Sequence, residues 1–218
     1  MALAFSGGKD SVAALHRLSR DPDVALVALV TTFNRANHRI ALHGTPLTLI
    51  ESQARAFGLP LLAIALEEHC DNAAYLGAFA DGIRPLLAEG LDALAFGDLH
   101  LQDIRQFRES QCDALGIQAL FPLWGRDPAA LAVELIDWGL DALLCGVDLA
   151  CLPESWLGRR YDSGLLAELP PGVDPCGERG EFHTFVRYAP GMRFPVPVRT
   201  GTVHISHRRY GMLDLQPA

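Results

Sequence analysis

A short polar segment with a pair of glycines follows the first apolar run of the chain: Ser6-Gly7-Gly8-Lys9-Asp10-Ser11. The glycines allow a ligand to approach the backbone closely, and the amides of a helix that begins here would point at an anion. The lysine adds positive charge, the serine hydroxyls can bond to oxygen atoms, and Asp10 can hold Mg²⁺. The segment therefore predicts a phosphate site. The alternative is an ordinary strand–turn–helix junction in which Asp10 caps the helix.

The position of the lysine favours the phosphate site. Seventeen of the 18 basic residues are arginine, and Lys9 is the only lysine. Lysine presents a compact point charge and arginine a flat fork, so the two are not interchangeable in a tight phosphate pocket. The spacing differs from the Gly-x₄-Gly-Lys-Ser/Thr pattern of an ordinary P-loop, which argues against that class of nucleotide-binding protein.

A second motif lies near the end of the chain: Cys176-Gly177-Glu178-Arg179-Gly180-Glu181-Phe182-His183-Thr184. Glu178 and Glu181 can converge on one cation, such as ammonium, Mg²⁺ or an incoming amine, and either can act as a base. For these two glutamates the alternative is a solvated turn. His183 can assist them or pack as a structural residue. Cys176 can be imagined as a sulfur carrier, but the sequence places no second cysteine beside it.

Two further polar residues follow predicted strands. Asp98 comes after the apolar residues 93–96, at the carboxyl end of a strand, where open α/β sheets bind their ligands; its alternative role is to cap the next helix. His43 precedes Gly44-Thr45-Pro46 at another strand-to-helix junction. It can line the pocket, or Thr45 can simply cap the helix that follows.

Apolar runs alternate with helical patterns in the first part of the chain. Strands are predicted at 3–5, 24–32, 61–66 and 93–96, and helices at about 10–18, 46–57, 73–88 and 101–115. This alternation predicts an α/β fold with a doubly wound parallel sheet and helices on both faces. After Pro122 the pattern changes to a helix at 127–138, a strand at 142–147, a rigid loop at 169–175 and exposed strands over 196–210. We therefore divide the chain into residues 1–125 and a smaller C-terminal part, 126–218.

Composition argues against several classes of protein. Half of the 218 residues are hydrophobic and 20% are charged, so the chain can bury a core. The net charge of −8 argues against a nucleic-acid binder. No apolar run approaches the roughly 18 residues of a membrane span, and the N-terminal glycine pair interrupts any signal peptide, so we expect a cytoplasmic protein without a membrane partner. The five cysteines include no Cys-x-x-Cys pair, unlike a disulfide framework or a zinc site.

The first motif resembles the pyrophosphate-binding loop of the ATP pyrophosphatases, the PP-loop enzymes that cleave ATP to AMP and pyrophosphate. Within that superfamily, residues 2 to about 195 resemble the diphthine–ammonia ligase family. The family-specific signal is the Gly-Glu-Phe-His-Thr segment at 180–184. The other matching positions are Gly97-Asp98, Arg108-Glu109, Cys112, Pro122-Leu123-Trp124, Leu157-Gly158-Arg159 and Asp162.

The resemblance implies a HUP-type fold that binds ATP and Mg²⁺. It implies that Ser6, Gly7, Gly8, Lys9, Asp10 and Ser11 contact the β- and γ-phosphates and Mg²⁺. In this interpretation Lys9 and Asp10 are catalytic, Asp10 holds the metal, and Asp98 lies near the nucleotide.

The resemblance also assigns the second motif to the acceptor or ammonia. It implies catalytic roles for Glu178 and Glu181, and substrate contacts for both glutamates and for Gly180, His183 and Arg159. Family members usually have Asn or Gly where this chain has Arg179. Because arginine adopts left-handed backbone less readily, we expect the turn or its ligand to differ here.

The predicted reaction has two steps. ATP and Mg²⁺ activate a carboxylate as its acyl-adenylate with release of pyrophosphate, and ammonia then displaces AMP to leave an amide. The family's named acceptor is diphthine on elongation factor 2, but the alanine-, leucine- and arginine-rich composition is typical of a bacterial-type member that amidates another carboxylate. Two alternatives stay open: a PP-loop sulfurtransferase or RNA-modifying enzyme, and a non-catalytic adenine-nucleotide-binding protein. The sequence does not indicate whether the acceptor is protein-borne or small, or the oligomeric state.

Overall fold

The computed structural model describes residues 1–40, 44–206 and 208–218, so His43 lies outside the described residues. The strands are β1 (Ala2–Ala4), β2 (Ala28–Asn34), β3 (Arg39–Ile40), β4 (Leu61–Leu66), β5 (Ala93–Ala95), β6 (Gln118–Leu120), β7 (Asp141–Asp148), β8 (Phe182–Tyr188), β9 (Val198–Ser206) and β10 (Tyr210–Pro217). The helices are α1 (Lys9–Leu18), α2 (Leu47–Phe57), α3 (Asn72–Ala88), α4 (Gln102–Leu115), α5 (Pro128–Asp137) and α6 (Ser163–Glu168), with a 3-10 turn at Glu154–Trp156.

The first sheet is built around β1. Strand β1 pairs in parallel with β2 on one side and with β5 on the other, in the registers Ala2↔Ala28 and Ala2↔Leu94. Strand β4 adds to β2 and β6 adds to β5, again in parallel, while β3 is antiparallel to the end of β2. The chain therefore winds outward from β1 to β4 and then returns to β5 and β6. This confirms the predicted α/β fold, and it puts a topological switch point between β1 and β5, where such sheets bind ligands.

Both faces of this sheet are covered. One face buries Val30, Ile64 and Leu94 against Phe79 and Ile83 of α3. The opposite face buries a second set against α1 and α2, consisting of Leu3, Phe5, Leu29, Val12, Leu49 and Ile50. Strands covered on both faces have apolar residues without alternation, which is the pattern that indicated them in the sequence.

The helix starts remove two of the alternatives. Helix α2 begins after Pro46 and α4 begins after Leu101, and neither of these N-caps makes a side-chain cap bond among the described residues. Thr45 therefore does not cap α2, and Asp98 does not cap α4. Helix α5 begins as its sequence predicted, with Pro128 in the first turn and the Asp127 carboxylate accepting from the amide of Ala130 at 2.8 Å.

The second sheet is antiparallel, in the order β8-β7-β10-β9. It packs beside α1 and α2, and the core on that side continues from Leu3 to Leu215. Strand β8 lies against the N-terminus of α1, so residues about 175 positions apart in sequence meet there. The boundary near residue 125 stays a prediction. Within the described residues, no helix is long and apolar enough to cross a bilayer.

Candidate active site

A cavity of about 790 Å³ opens at the switch point between β1 and β5. Strand ends, helices α1, α3 and α4, and the turn before β8 form its walls. Eight of the predicted site residues line it: Ser6, Lys9, Asp10, Ser11, Asp98, Glu178, Gly180 and His183. The structure thus brings the two motifs together, although some 170 residues separate them in sequence. Gly7, Gly8, Glu181 and Arg159 are not among the described residues that line it.

The first motif forms the loop between β1 and α1. Gly8 is the N-cap of α1, and Gly7 has a φ of +79°, a left-handed conformation that favours glycine. The Gly8 amide donates to Ser6 Oγ at 3.3 Å, and Ser11 Oγ donates to the Gly8 carbonyl at 2.9 Å. The positive end of the α1 dipole and these polar groups lie at the wall of the cavity. This arrangement suits the binding of phosphate.

The end of β5 approaches this loop closely because residue 97 is glycine. A Cβ added to Gly97 would lie 3.0 Å from the backbone carbon and oxygen of Asp10 and 3.1 Å from the amide nitrogen of Ser11. The contacts are to backbone, which cannot swing aside as a side chain can. Gly97 therefore sets the width of the cavity at the first turn of α1.

Lys9 is almost fully buried, with 2% of its surface exposed. Its Nζ donates to both carboxylate oxygens of Asp10, at 3.0 and 2.9 Å, and to the carbonyl of Cys176. Burial acts to lower the pKa of Lys9, but the charge and hydrogen bonds of Asp10, together with the charge of Glu178, outweigh it and raise the pKa. The ammonium is therefore charged at neutral pH. It links the phosphate loop to the turn that carries the second motif.

Glu178 lines the cavity beside the segment that follows β5. Its Oε1 accepts from the amide of Leu99 at 2.7 Å and from the amide of His100 at 3.4 Å. Burial raises the pKa of Glu178 to about 7; the two amide bonds act to lower the pKa, and the charges of Asp10 and Asp98 raise it. A carboxyl with a pKa near neutrality can accept or release a proton under physiological conditions.

Glu181 faces away from the cavity. It is 5% exposed, and its carboxylate accepts from the amides of Asp174 and Arg179, both at 3.0 Å. The side chain therefore stabilises the turn that presents Glu178. The left-handed positions of this turn are Gly177, with a φ of +64°, and Gly180, with a φ of +85°. Arg179 is exposed and is not a left-handed residue, so it imposes no backbone strain.

Arg159 lies apart from the cavity. Its Nη1 donates to Glu168 at 2.7 Å, and its guanidinium stacks on the Trp156 ring at 4.5 Å. His183 does line the cavity. Burial, together with the charge of Lys9, lowers the pKa of His183 to about 4, so the imidazole is neutral at pH 7.

Family models match both parts of this chain. The model described as the diphthamide synthase N-terminal domain matches residues 1–119, and the one described as the diphthamide synthase C-terminal domain matches residues 127–217. The chain belongs to the diphthamide synthase family.

Curated relatives in this family carry the name diphthine–ammonia ligase. The zebrafish (Danio rerio) protein is 39% identical over 154 residues, which cover 63% of this chain and 60% of the zebrafish protein. The human (Homo sapiens) protein is 32% identical over 123 residues, which cover 54% of this chain and 46% of the human protein. In the Schizosaccharomyces pombe protein, 31% identity over 104 residues covers 46% of this chain and 17% of that protein. The chain therefore spans less than two thirds of the length of the relatives it matches.

Arg108 is a cavity residue for which the sequence suggested no role in this member of the diphthamide synthase family. Its Nη1 donates to Tyr75 Oη at 3.1 Å, and its guanidinium lies 5.0 Å from the centre of the Phe96 ring. Among the described residues that line the cavity, Lys9 and Arg108 are the ones with a lysine or arginine side chain. The signal for Arg108 was its place beside Phe107 on the α4 face that also carries Ile104.

Aromatic and carboxylate side chains complete this family member's cavity wall. Tyr75, Phe79 and Phe107 form an apolar side next to Arg108. Asp98 lies at the end of β5, where burial raises its pKa against the opposing effect of Arg108. The cavity thus combines a phosphate loop that carries Lys9, an apolar wall and four carboxylates among the described lining residues, those of Asp10, Asp98, Asp103 and Glu178.

The cysteines do not supply a reactive thiol to the cavity. Cys176 is 1% exposed, its Sγ donates to the Pro128 carbonyl at 3.4 Å, and burial raises the pKa of the thiol to about 12. A thiol in this state is protonated at neutral pH and shielded from a substrate. The described part of the chain has free cysteines and no bonded pair.

The cavity is suited to a nucleotide with Mg²⁺. Its volume, its loop at a helix N-terminus and the close backbone approach at Gly97 fit a phosphate chain. The described residues contain no group of three or more His, Cys, Asp or Glu side chains arranged to hold a metal. Mg²⁺ in nucleotide sites commonly takes one or two carboxylates and completes its coordination with phosphate and water. Asp10 and Asp98 are two of the carboxylates that line the cavity.

Proposed function

We propose that this chain is an ATP-dependent ligase that forms an amide by adenylating a carboxylate and transferring ammonia to it. The observation that supports this most is that the phosphate loop with Lys9 shares one cavity with Glu178, a partly buried carboxyl whose pKa is raised by burial to about 7. A site that only bound adenine nucleotide would need the loop but not the base.

The phosphate loop would bind the β- and γ-phosphates. Lys9 and the amides at the start of α1 would neutralise the charge that grows on the departing pyrophosphate. Asp10 or Asp98 would hold Mg²⁺, which would supply further positive charge near the phosphates. These roles need the loop to be fixed before ATP arrives, and the bonds to Ser11 and Thr184 provide that fixation.

The acceptor carboxylate would lie between Arg108 and the α-phosphate. One carboxylate oxygen forms a bond to the α-phosphorus, and the bond from that phosphorus to the oxygen bridging to the β-phosphate breaks, releasing pyrophosphate. Two anions must approach each other in this step, so a cation is needed on the acceptor side of the cavity. Arg108 would supply that cation, and the apolar wall of Tyr75, Phe79 and Phe107 beside it would keep water away from the adenylate.

Ammonia would reach the adenylate from the side of Glu178. Ammonium is not a nucleophile, so it must lose a proton before its nitrogen attacks the acyl carbon and displaces AMP. Glu178 would take that proton, because its raised pKa makes it a stronger base than an ordinary glutamate. His183 is neutral and would border the site without carrying charge. Glu181 would act through the turn that it stabilises.

The acceptor is proposed only as a class, a carboxylate on a protein or on a small molecule. The name of the relatives, diphthine–ammonia ligase, puts a diphthine carboxylate among the acceptors to test first. Ammonium is the proposed nitrogen donor.

A hydroxylamine trap tests the proposal. Purified protein is incubated with ATP, Mg²⁺ and fractionated cell extract, with hydroxylamine in place of ammonium. The proposal predicts a hydroxamate formed in equal amount with AMP, because hydroxylamine attacks acyl-adenylates as ammonia does. The Lys9→Ala variant should form neither product. Tight binding of tRNA without hydroxamate would favour the RNA-modifying alternative, and ATP binding without turnover in any fraction would favour a nucleotide-binding protein without chemistry.

A further inference from the structure

We infer that Gln53 of α2 is a positioning residue that holds the Gly7–Gly8 peptide in its phosphate-binding orientation. The inference rests on the proposed binding of ATP by the loop and adds a residue outside both motifs. Gln53 is fully buried, with 0% of its surface exposed, although its side chain is polar. It lies one layer behind the loop, on the side away from the cavity.

The amide nitrogen of Gln53 joins two distant parts of the chain. Its Nε2 donates to the carbonyl of Gly7 at 3.0 Å and to the carbonyl of Val186 in β8 at 2.6 Å. The amide of Val186 in turn donates to the same Gly7 carbonyl, at 3.0 Å. The Gly7 carbonyl therefore has two donors, one from α2 and one from β8.

Fixing this carbonyl fixes the next amide. In a planar trans peptide, the C=O of one residue and the N–H of the next point in opposite directions. With the Gly7 carbonyl held toward Gln53, the Gly8 N–H must point to the other side, where Ser6 lines the cavity. There it makes a long bond of 3.3 Å to Ser6 Oγ, which a phosphate oxygen can replace.

Two observations indicate that Gln53 is not present for packing alone. Its Oε1 is buried and has no hydrogen-bond partner among the residues the structure describes. Leaving a buried polar atom without a partner destabilises the folded state, a cost that a methionine or leucine of similar size would avoid. In addition, a Cβ on Gly7 would clash with that same Oε1, so the glycine and the amide fit each other closely.

The test compares ATP binding by two variants of Gln53 and one matched control. Gln53→Met keeps the length of the side chain and removes both donors. Gln53→Glu keeps the shape and puts a carboxylate against two carbonyls. Ile117→Ala is the control, since Ile117 is buried at the amino end of β6, at the end of the sheet opposite the cavity. Isothermal titration measures the Kd for ATP with Mg²⁺, and thermal unfolding measures the Tm of each protein.

We expect Gln53→Met to raise the Kd for ATP by tenfold or more, whereas Ile117→Ala lowers the Tm without changing the Kd. Gln53→Glu should bind ATP poorly at pH 8 and recover at pH 5.5, where a protonated carboxyl can again donate one bond to the Gly7 carbonyl. That recovery separates positioning of the loop from a general loss of stability, and it can be measured even where Gln53→Met does not fold.

The measured Kd values decide whether the inference about Gln53 stands. An unchanged Kd in Gln53→Met, or a Kd in Gln53→Glu that does not improve on acidification relative to wild type, overturns the inference while wild-type binding of ATP keeps the proposed function. Wild-type protein that binds no ATP overturns both.

Discussion

Among single residues, Lys9 and Glu178 matter most for the proposed reaction. The two side chains come from opposite ends of the sequence and line the same cavity. The negative charge of Glu178 is one of the causes that raise the pKa of Lys9. Their environments differ in kind. Lys9 is held charged by Asp10, whereas Glu178 is held near its titration point by burial.

Replacing Lys9 by alanine should abolish pyrophosphate formation. The loop would lose its ammonium, and the Asp10 carboxylate, which Lys9 now neutralises in part, would repel the phosphates. Pyrophosphate release in the presence of active extract fraction measures the effect. Arg35→Ala is the control, because it also removes one cation, from a surface pair with Glu67 in which the two side chains are 63% and 75% exposed. Equal turnover in wild type and Lys9→Ala would remove the loop from the mechanism.

Glu178 predicts a specific dependence of stability on pH. Its pKa is about 7 in the folded protein and about 4.5 when unfolded, so the folded state holds the proton more tightly. The stability gained from this is fully present below about pH 4.5 and is lost as the pH rises through 7. Glu178→Gln keeps an acceptor for the Leu99 amide and does not titrate. Relative to wild type, the variant's free energy of unfolding should therefore increase between pH 5 and pH 8.

Urea unfolding of both proteins at pH 5, 6, 7 and 8 measures that difference. Parallel curves for wild type and Glu178→Gln would show that the carboxyl is not perturbed by its surroundings. The same titration predicts that amide formation in wild type increases as the pH rises through about 7, because only the ionised carboxylate can accept the proton of ammonium.

At the scale of elements, the cavity depends on how closely β5 approaches α1. Gly97→Ala should weaken ATP binding by tenfold or more, because the new methyl group would lie 3.0 Å from the Asp10 backbone and push the first turn of α1 outward. Gly77→Ala in α3 is the matched control. Among the described residues, no atom outside its own helix turn lies within 4 Å of its added Cβ, and alanine is the better helix former, so this variant should gain about 0.5–1 kcal/mol of stability.

Titration of ATP into the two glycine variants, together with their melting temperatures, checks this prediction. A Gly97→Ala protein that binds ATP as tightly as wild type would mean that the strand and helix can separate at no cost. The close approach would then not be what shapes the site.

The sequence indicated the parallel sheet well and the second sheet less well. Apolar runs without alternation marked β1, β2, β4 and β5, because those strands are covered on both faces. The predicted start of β2 at Val24 was wrong: β1 begins only at Ala2, which pairs with Ala28, so the residues before Ala28 have no strand beside them. Strand β8 went unrecognised as a strand because the polar residues His183, Thr184 and Arg187 interrupt its apolar residues, so that it has no continuous apolar run.

The sequence also predicted which segments would meet, but not how each side chain would point. The two glutamates of the second motif are three residues apart and looked equivalent in the sequence. Only the hydrogen bonds from the amides of Asp174 and Arg179 show that Glu181 faces away from the cavity. Arg159 pairs with Glu168 of α6, a six-residue helix too short to give a periodic signal. Gln53 had no motif at all, because its role follows from a contact with β8, 133 residues away.

At the scale of the whole molecule, the two sheets share one core. Buried residues from β1 through β10 form a continuous cluster that includes Leu3, Val12, Leu144, Phe185 and Leu215. Apolar contacts, and the hydrogen bonds between β8 and the phosphate loop, therefore join the two parts of the chain on either side of the predicted boundary near residue 125. We expect the protein to unfold in a single cooperative transition.

Differential scanning calorimetry with circular dichroism checks this expectation. A calorimetric enthalpy equal to the van't Hoff enthalpy would agree with one cooperative unit, and ATP with Mg²⁺ should move the whole transition upward. Two separate transitions, with only one displaced by ATP, would mean that the second sheet folds independently of the phosphate site.

The products formed from ATP are the most direct test of whether this cavity catalyses adenylation. Wild type, Lys9→Ala and Glu178→Gln are incubated with α-labelled ATP, Mg²⁺, ammonium and fractionated extract, and the labelled nucleotides are separated. The account predicts AMP and pyrophosphate that depend on the extract, with both lost in Lys9→Ala. In Glu178→Gln pyrophosphate should still form while the ammonium-dependent amide is reduced. Labelled ADP as the main product, or AMP formation that Lys9→Ala leaves unchanged, would contradict adenylation at this cavity.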